Sequence, residues 1–326
     1  MSRLTNYDFG DSDVYDLPFD GMNLAFEDRQ QRRKRKPKAN HRPKKSAADV
    51  VASLSDEGKS ETELTMTYQP SRFEAGWLAD SLRPFYDRGL IIDVLARVRG
   101  GKEASVYVCQ ASPAIGVPLL AAKVYRPRMF RQMRNDSMYR EGREILTESG
   151  KVVKKTDHRV MRAIGKKTGF GVEVAHTSWL MYEQNTLQTL AGAALDVPHP
   201  YGSAPNAILM TYYGVLGHPA PTLSLVELDP EEAQALFYRA VHNIEGMLAL
   251  GFIHGDLSAY NILYWEGDIT VIDFPQVVRP QANPYAEEIF RRDVSRVCDY
   301  FADQGVTTDA DALVSRLWTT YVPQED

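Results

Sequence analysis

At 326 residues, 44% hydrophobic and 25% charged, the chain is long enough for about two domains, and its composition excludes wholesale disorder and fibrous architecture. No apolar stretch reaches the ~18 residues that cross a bilayer, and the acidic start MSRLTNYDFGDSDVYD has no apolar signal core, so no membrane partner is expected. Two cysteines, Cys109 and Cys298, are too few for a metal cluster or a disulfide framework, which points to a reducing, cytoplasmic setting.

The net charge of −5 conceals an uneven distribution. Residues 1–28 hold seven acids against one base, Arg3, whereas residues 29–45, RQQRRKRKPKANHRPKK, carry ten Lys/Arg and no acid. Charges packed that densely repel and bury no apolar area, so residues 1–70 read as a disordered acidic-then-basic tail and linker. The basic run could attract the phosphate backbone of a nucleic-acid or ribosome-like partner, or another polyanion, or could be a solvated arm pairing with its acidic neighbour; it has no aromatic residue to stack on bases.

From Phe73 to Arg88, apolar residues Trp77, Leu78, Leu82, Phe85 and Tyr86 recur at helical spacing, interrupted by Pro84 and stopped by Gly89. Residues 90–98 and 104–110 read as a hairpin around the turn RGGKE, and LLAAKVY (119–125) as a third strand. Residues 126–177 contain thirteen Lys/Arg against six acids and read as a basic, mobile insertion with some helix rather than core. Residues 178–195 predict a helix with Ser178 as N-cap, and 208–213 another strand. The segment 229–251 predicts a helix opened by Asp229 and Pro230 and ended by Gly251. NILYWEG and DITVIDF form short strands joined by a tight Glu266-Gly267 turn, and two helices, about 284–304 and 309–321, finish the chain. The order places a β-rich lobe before an α-rich one, with a cleft between.

The sharpest chemical signal is FIHGDLSAYNILYWEGDITVIDFPQ, residues 252–276. It sets Asp256, Asn261 and Asp273 in a loop–strand–turn–strand arrangement. Phosphoryl transfer needs a carboxylate to orient or deprotonate the incoming hydroxyl, and hard oxygen ligands to hold Mg²⁺ against the triphosphate. Asp256 fits the first role; Asn261, five residues on, and Asp273, at the end of the hairpin, fit the second. The bland alternative is that both aspartates only cap turns. His254 and Gly255 read as loop-shaping residues.

These motifs mark a kinase-like phosphotransferase, and together GGKEASVY (100–107), AAKVY (121–125), HGDLSAYN (254–261) and IDFPQ (272–276) resemble the RIO family of atypical serine/threonine protein kinases, over roughly residues 73–304. The acidic–basic tail is unlike that expected of the family's archaeal members, and a bacterial-type member is expected. The resemblance implies an α+β, two-lobed protein-kinase-like fold. Its small β-rich N-terminal lobe with one main helix would span residues 71–214, and its reduced α-rich C-terminal lobe residues 215–326.

The resemblance also implies site residues. Lys123 would grip the phosphates, with Glu183 on the following helix holding the lysine and Trp179 setting the register. Lys102 and Ser105 would reach phosphates from the nucleotide loop, although a surface lysine would look the same at 102. Met210 and Tyr212 would lie on the strand and hinge that cradle adenine, although a buried strand would show the same residues. The implied cofactors are ATP and Mg²⁺, with Mn²⁺ as an alternative. The implied protein substrate is the chain itself, at sites such as Ser137, Ser149 or Thr156, or a ribosome-associated protein.

Two departures from ordinary kinases bear on mechanism. Ser258 stands where they carry a catalytic-loop lysine, and only 53 residues follow Asp273, too few for the usual peptide-docking segment. Family members are linked to small-subunit maturation, some as ATPases passing through a phospho-aspartate, which would fall here on Asp273. Small-molecule phosphotransferases of the aminoglycoside and choline kinase type share H-G-D-x-x-x-x-N and are the competing class; GKEASVY and IDFPQ argue against them.

Overall fold

Ser71 opens the first helix: its backbone N–H donates to the Glu74 carboxylate at 3.4 Å, and α1 runs Arg72–Asp87 with Pro84 inside its last turn. The computed structural model describes residues 64, 66–101, 104–125, 139, 141–147, 150–154, 156–166 and 168–323. The tail, Lys102 and the acceptor candidates Ser137 and Ser149 lie outside the described residues. All the described residues fall in one compact unit, Ser46–Asp326.

Five antiparallel strands follow: β1 (Ile91–Gly100), β2 (Ala104–Ala111), β3 (Leu119–Tyr125), β4 (Pro200–Ala204) and β5 (Ala207–Thr211), in the order β1-β2-β3-β5-β4. β4 was not legible in the sequence, because Pro-Tyr-Gly-Ser-Ala has weak strand preference; it exists as the edge partner of β5, with a register slip between Pro200 and Gly202. Directly paired residues share a face. One face carries Tyr107, Cys109, Leu120, Ala122, Val124 and Leu209 and packs on Leu78, Leu82 and Phe85 of α1. The other carries Ala121, Lys123, Tyr125, Ile208 and Met210, and merges with the core of the helical part.

Between β3 and β4 lie α2 (His158–Gly165) and α3 (Gly169–Gly192). Here the structure corrects the sequence reading. Thr168, not Ser178, is the N-cap of α3, accepting from the Gly171 N–H at 3.1 Å. Gly169 and Gly171 lower local helix propensity and mask the start. Gly171 is needed because a Cβ there would lie 2.0 Å from the Ala163 carbonyl oxygen of α2. Ser178 is instead inside α3, where its hydroxyl accepts from the Leu146 N–H at 2.9 Å. Leu146 is buried in the main core, so the described part of the basic insertion contributes to packing as well as surface.

Beyond β5 come a two-residue ribbon, β6 (Gly214–Val215) with β7 (His218–Pro219), and then α4 (Pro230–Ala249). Asp229 caps α4 by accepting from Glu231 and Glu232 N–H groups at 3.0 and 2.9 Å. The hairpin β8 (Ile262–Trp265) and β9 (Asp268–Val271) turns at Glu266-Gly267, and α5 (Ala286–Asp303) and α6 (Ala310–Tyr321) close the chain, as expected. Leu248 of α4, Val271 of β9, Phe301 of α5 and Leu317 of α6 share one core. An antiparallel sheet with its helices, followed by a mainly helical part, is the mixed kinase-like architecture anticipated. Among the described residues no helix is long and apolar enough to cross a membrane.

Candidate active site

Lys123 lies mid-strand, paired with Val106 of β2 and Ile208 of β5, and so is fixed by two neighbouring strands. α3 crosses the same face and delivers Glu183. The Lys123 ammonium lies 2.6 Å from Glu183 Oε1 and 2.5 Å from Asp273 Oδ1, bridging a carboxylate of the sheet-packed helix and one from the segment after β9. Glu183 is only 1% exposed; its second oxygen accepts from the Tyr125 hydroxyl, and the Tyr125 ring meets Trp179 edge-on at 4.6 Å between centroids.

Burial disfavours a charged Lys123, but Asp273 and Glu183 outweigh it and hold the ammonium well above its ordinary pKa. Enclosure likewise opposes the Asp273 carboxylate, yet Lys123 holds it below the usual carboxylate range. Asp273 adopts a left-handed backbone, φ 72°, uncommon for a non-glycine residue and found most often where a site imposes it.

The loop 254–261 is locked from three sides. Gly255 has φ 87°, and a Cβ on it would lie 2.2 Å from the Gln276 carbonyl oxygen. Its N–H donates to Asp293 Oδ2 of α5 at 2.7 Å, and its carbonyl accepts from Arg292. Burial pushes the Asp293 carboxyl up, against the pull of the Arg292 guanidinium and of the Gly255 N–H. The Asp256 N–H donates to His254 Nδ1 at 3.2 Å; that nitrogen must therefore be unprotonated, and Nε2 donates to the Ile272 carbonyl at 3.0 Å. A neutral histidine thus ties the Asp256 loop to the residue before Asp273. Paired Ile253 and Val278 backbones, at 2.9 Å in both directions, reinforce the tie.

Asn261 Nδ2 donates to the Asp256 carbonyl at 2.8 Å and to Asp256 Oδ2 at 3.3 Å, which leaves Asn261 Oδ1 as the atom available to a cation. The Ile272 N–H donates to the Asn261 carbonyl at 2.9 Å, so Asn261 sits across the hairpin from the residue preceding Asp273. An amide oxygen and an ionised carboxylate are hard donors that suit a hard divalent cation, whose remaining ligands would be waters and substrate phosphates. Among the described residues no three His, Cys, Asp or Glu side chains gather to hold a metal alone. The donor set therefore fits a metal shared with a triphosphate.

The remaining predicted residues fall less close to this centre. Met210 is buried opposite Ala121, on the Lys123 face of the sheet. Tyr212 lies just past β5, its hydroxyl donating to the Val215 carbonyl at 3.2 Å. Ser105 is buried and pairs with Val124, which faces α1, so the structure does not bring its side chain to the Lys123 face. Sequence reasoning missed Tyr125, although it follows Lys123 by two in the same strand and must share its face. It also missed Arg292, Asp293 and Arg296, which lie 36 to 40 residues from Asp256 with no local signal. Arg296 Nη1 lies 2.9 Å from Asp256 Oδ1.

A family model described as the RIO domain matches residues 120–313, more than half of the chain. The chain belongs to the RIO family. Similar chains include the RIO-type serine/threonine-protein kinase Rio1 of Thermoplasma acidophilum, 32% identical over 41% of this chain and 69% of that one. The RIO-type serine/threonine-protein kinase Rio1 of Haloferax volcanii is 32% identical over 65% of this chain and 64% of its own. The RIO-type serine/threonine-protein kinase Rio2 of Methanocaldococcus jannaschii is 34% identical over 41% and 51%. This RIO chain thus aligns with about half to two thirds of these archaeal relatives. Its family is one of protein kinases, which use ATP and a divalent metal, and the small-molecule phosphotransferase alternative is not favoured.

Proposed function

We propose that the chain transfers the γ-phosphoryl group of ATP, with Mg²⁺ as the metal, to serine or threonine hydroxyls, its own among them. The observation that carries this reading is the Lys123 ammonium held between Glu183 and Asp273, on the sheet face toward which Asn261 and Asp256 are tied through the β8–β9 hairpin. Lys123 would bind the phosphates, Glu183 hold the lysine, and Asp256 orient and accept the proton of the incoming hydroxyl. Asn261 and Asp273 would hold Mg²⁺, which when bound neutralises charge on the triphosphate. Met210, Tyr212 and the loop carrying Lys102 and Ser105 would enclose the nucleotide, the backbone rather than the side chain of Ser105 facing it.

The same reading divides the chain into a tail to residue 70, an N-terminal lobe to residue 214 and a C-terminal lobe beyond it. It assigns a cytoplasmic setting and a ribosome-associated protein as further substrate, with ribosomal RNA or the small subunit as partner of residues 29–45. Turnover as an ATPase within ribosome assembly would use the same centre. The test is to incubate the full chain with γ-labelled ATP and titrate metal. Label stable to acid and found on serine or threonine, absent with chelator and restored by Mg²⁺, supports the proposal. Absence of protein label under every metal condition, or label confined to a small acceptor, contradicts it.

A further inference from the structure

We infer that Arg296 supplies the positive charge at the transferring phosphate that Ser258 cannot. This inference rests on the kinase reading above and deepens it. The loop position two residues after Asp256 holds Ser258, so the loop has no cation of its own between Asp256 and Asn261. The structure fills that electrostatic gap from another element. α5 presents Arg292, Asp293 and Arg296 to the loop, Arg296 following the other two by four and three residues, the spacings that make neighbours on a helix surface. The first two grip Gly255 through its carbonyl and its N–H, and fix the helix against the loop. Arg296 then reaches the Asp256 carboxylate at 2.9 Å, on the oxygen opposite the one that Asn261 approaches.

A hydroxyl oriented by Asp256 must meet the γ-phosphorus within bonding reach of that carboxylate, so a guanidinium already on the carboxylate lies beside the incoming phosphoryl oxygens. Arg296 and Asp256 are 43% and 42% exposed, loose enough for the arginine to swing from carboxylate to phosphate. In the step, the substrate oxygen forms its bond to the γ-phosphorus and its proton passes to Asp256. The bond from the γ-phosphorus to the bridging oxygen breaks, and ADP leaves with that electron pair. Arg296 moves from the carboxylate, which is neutralised by the proton, to the phosphoryl oxygens, where negative charge is spread. A surface ion pair that served stability alone would show none of this coupling to turnover.

The test is steady-state labelling by the full chain and its Arg296→Met, Arg296→Lys and Arg296→Met/Ser258→Lys variants, with Asp256→Asn as control. Loss of a preformed transition-state donor costs about 10²–10³ in rate. Arg296→Met should therefore lower kcat about a hundredfold while KM for ATP moves less than about threefold. Arg296→Lys should keep more than about a tenth of kcat, and the lysine at 258 should restore at least about tenfold to the Met variant. If Arg296→Met loses its fold, as read by circular dichroism, Arg296→Gln is compared with Arg296→Lys instead. An Arg296→Met kcat equal to or above wild type overturns the inference, the latter identifying a clamp on Asp256; so does failure of the relocated lysine to rescue. Failure of the kinase reading itself is separate, since wild type would then give no label and Asp256→Asn would change nothing.

Discussion

Glu183 and Lys123 form the ion pair on which the site is built, and its strength can be worked from its geometry. At 2.6 Å and an effective dielectric constant of about 20, the attraction is about 6 kcal/mol. Desolvating both ions offsets several kcal/mol of that, so a net coupling of about 2–4 kcal/mol is expected. The single substitutions should be unequal. Lys123→Met leaves the 1%-exposed Glu183 carboxylate with only the neutral Tyr125 hydroxyl among the described residues, and should cost about 3–5 kcal/mol. Glu183→Gln leaves Lys123 still paired with Asp273, and should cost about 1–3 kcal/mol. Urea unfolding of wild type, both singles and the double variant closes the cycle, with Arg291–Asp311 as reference. Asp311 is 88% exposed there, and coupling should stay below about 0.5 kcal/mol. A Lys123–Glu183 coupling as small as the reference, or Glu183→Gln costing more than Lys123→Met, would refute the reasoning.

Stability should also follow the ionisation of the bridged pair. Asp273 titrates below its ordinary value near 3.8 in the fold, so its contribution is complete above that value and fades as pH falls through the lowered one. Wild type should thus exceed Asp273→Asn in stability at pH 6, with the gap narrowing below about pH 4; a gap independent of pH would contradict this. Lys123, held above its ordinary 10.5, contributes fully below that pH and loses its contribution as pH rises further, so Lys123→Met should show a weakened alkaline limb. Gly255→Ala combines a left-handed φ with a 2.2 Å approach to backbone and should cost about 2–5 kcal/mol in urea unfolding, whereas a cost under about 1 would mean that the loop yields. Leu82→Ala, in the α1–sheet core, should cost about 2–5 kcal/mol and leave KM for ATP within about twofold, since it lies on the sheet face away from Lys123; a marked change in KM would show that the two faces are coupled.

Chemistry carried by contiguous residues was legible in the sequence. HGDLSAYN and the IDFPQ segment lie on one loop and hairpin, so spacing alone put Asp256 and Asn261 on one loop and Asp273 just after the adjoining hairpin. The strand alternation around Lys123 was equally readable, and the turn at Glu266-Gly267 announced the hairpin. The Lys123–Glu183 pair needed the family resemblance, because 60 residues, α2 and the first part of α3 among them, separate its members. What escaped notice depends on register or on distant helices. Ser105 is one residue from the Lys123 face, and only the pairing of β2 with β3 decides which way it turns. The start of α3 was hidden by two glycines, one of which exists to let α2 approach. Asp293, Arg292 and Arg296 look in sequence like ordinary charges on an amphipathic helix, and only the docking of α5 on Gly255 gives them a task.

The most direct test of the whole account measures two quantities on wild type and Asp256→Asn: transfer of label from γ-labelled ATP to protein, and equilibrium binding of ATP with Mg²⁺. The shared centre predicts that the substitution lowers transfer by at least about a hundredfold, because the oriented base is lost, while ATP binding stays within a few fold. Undiminished transfer in Asp256→Asn, or loss of ATP binding equal to the loss of transfer, would contradict it.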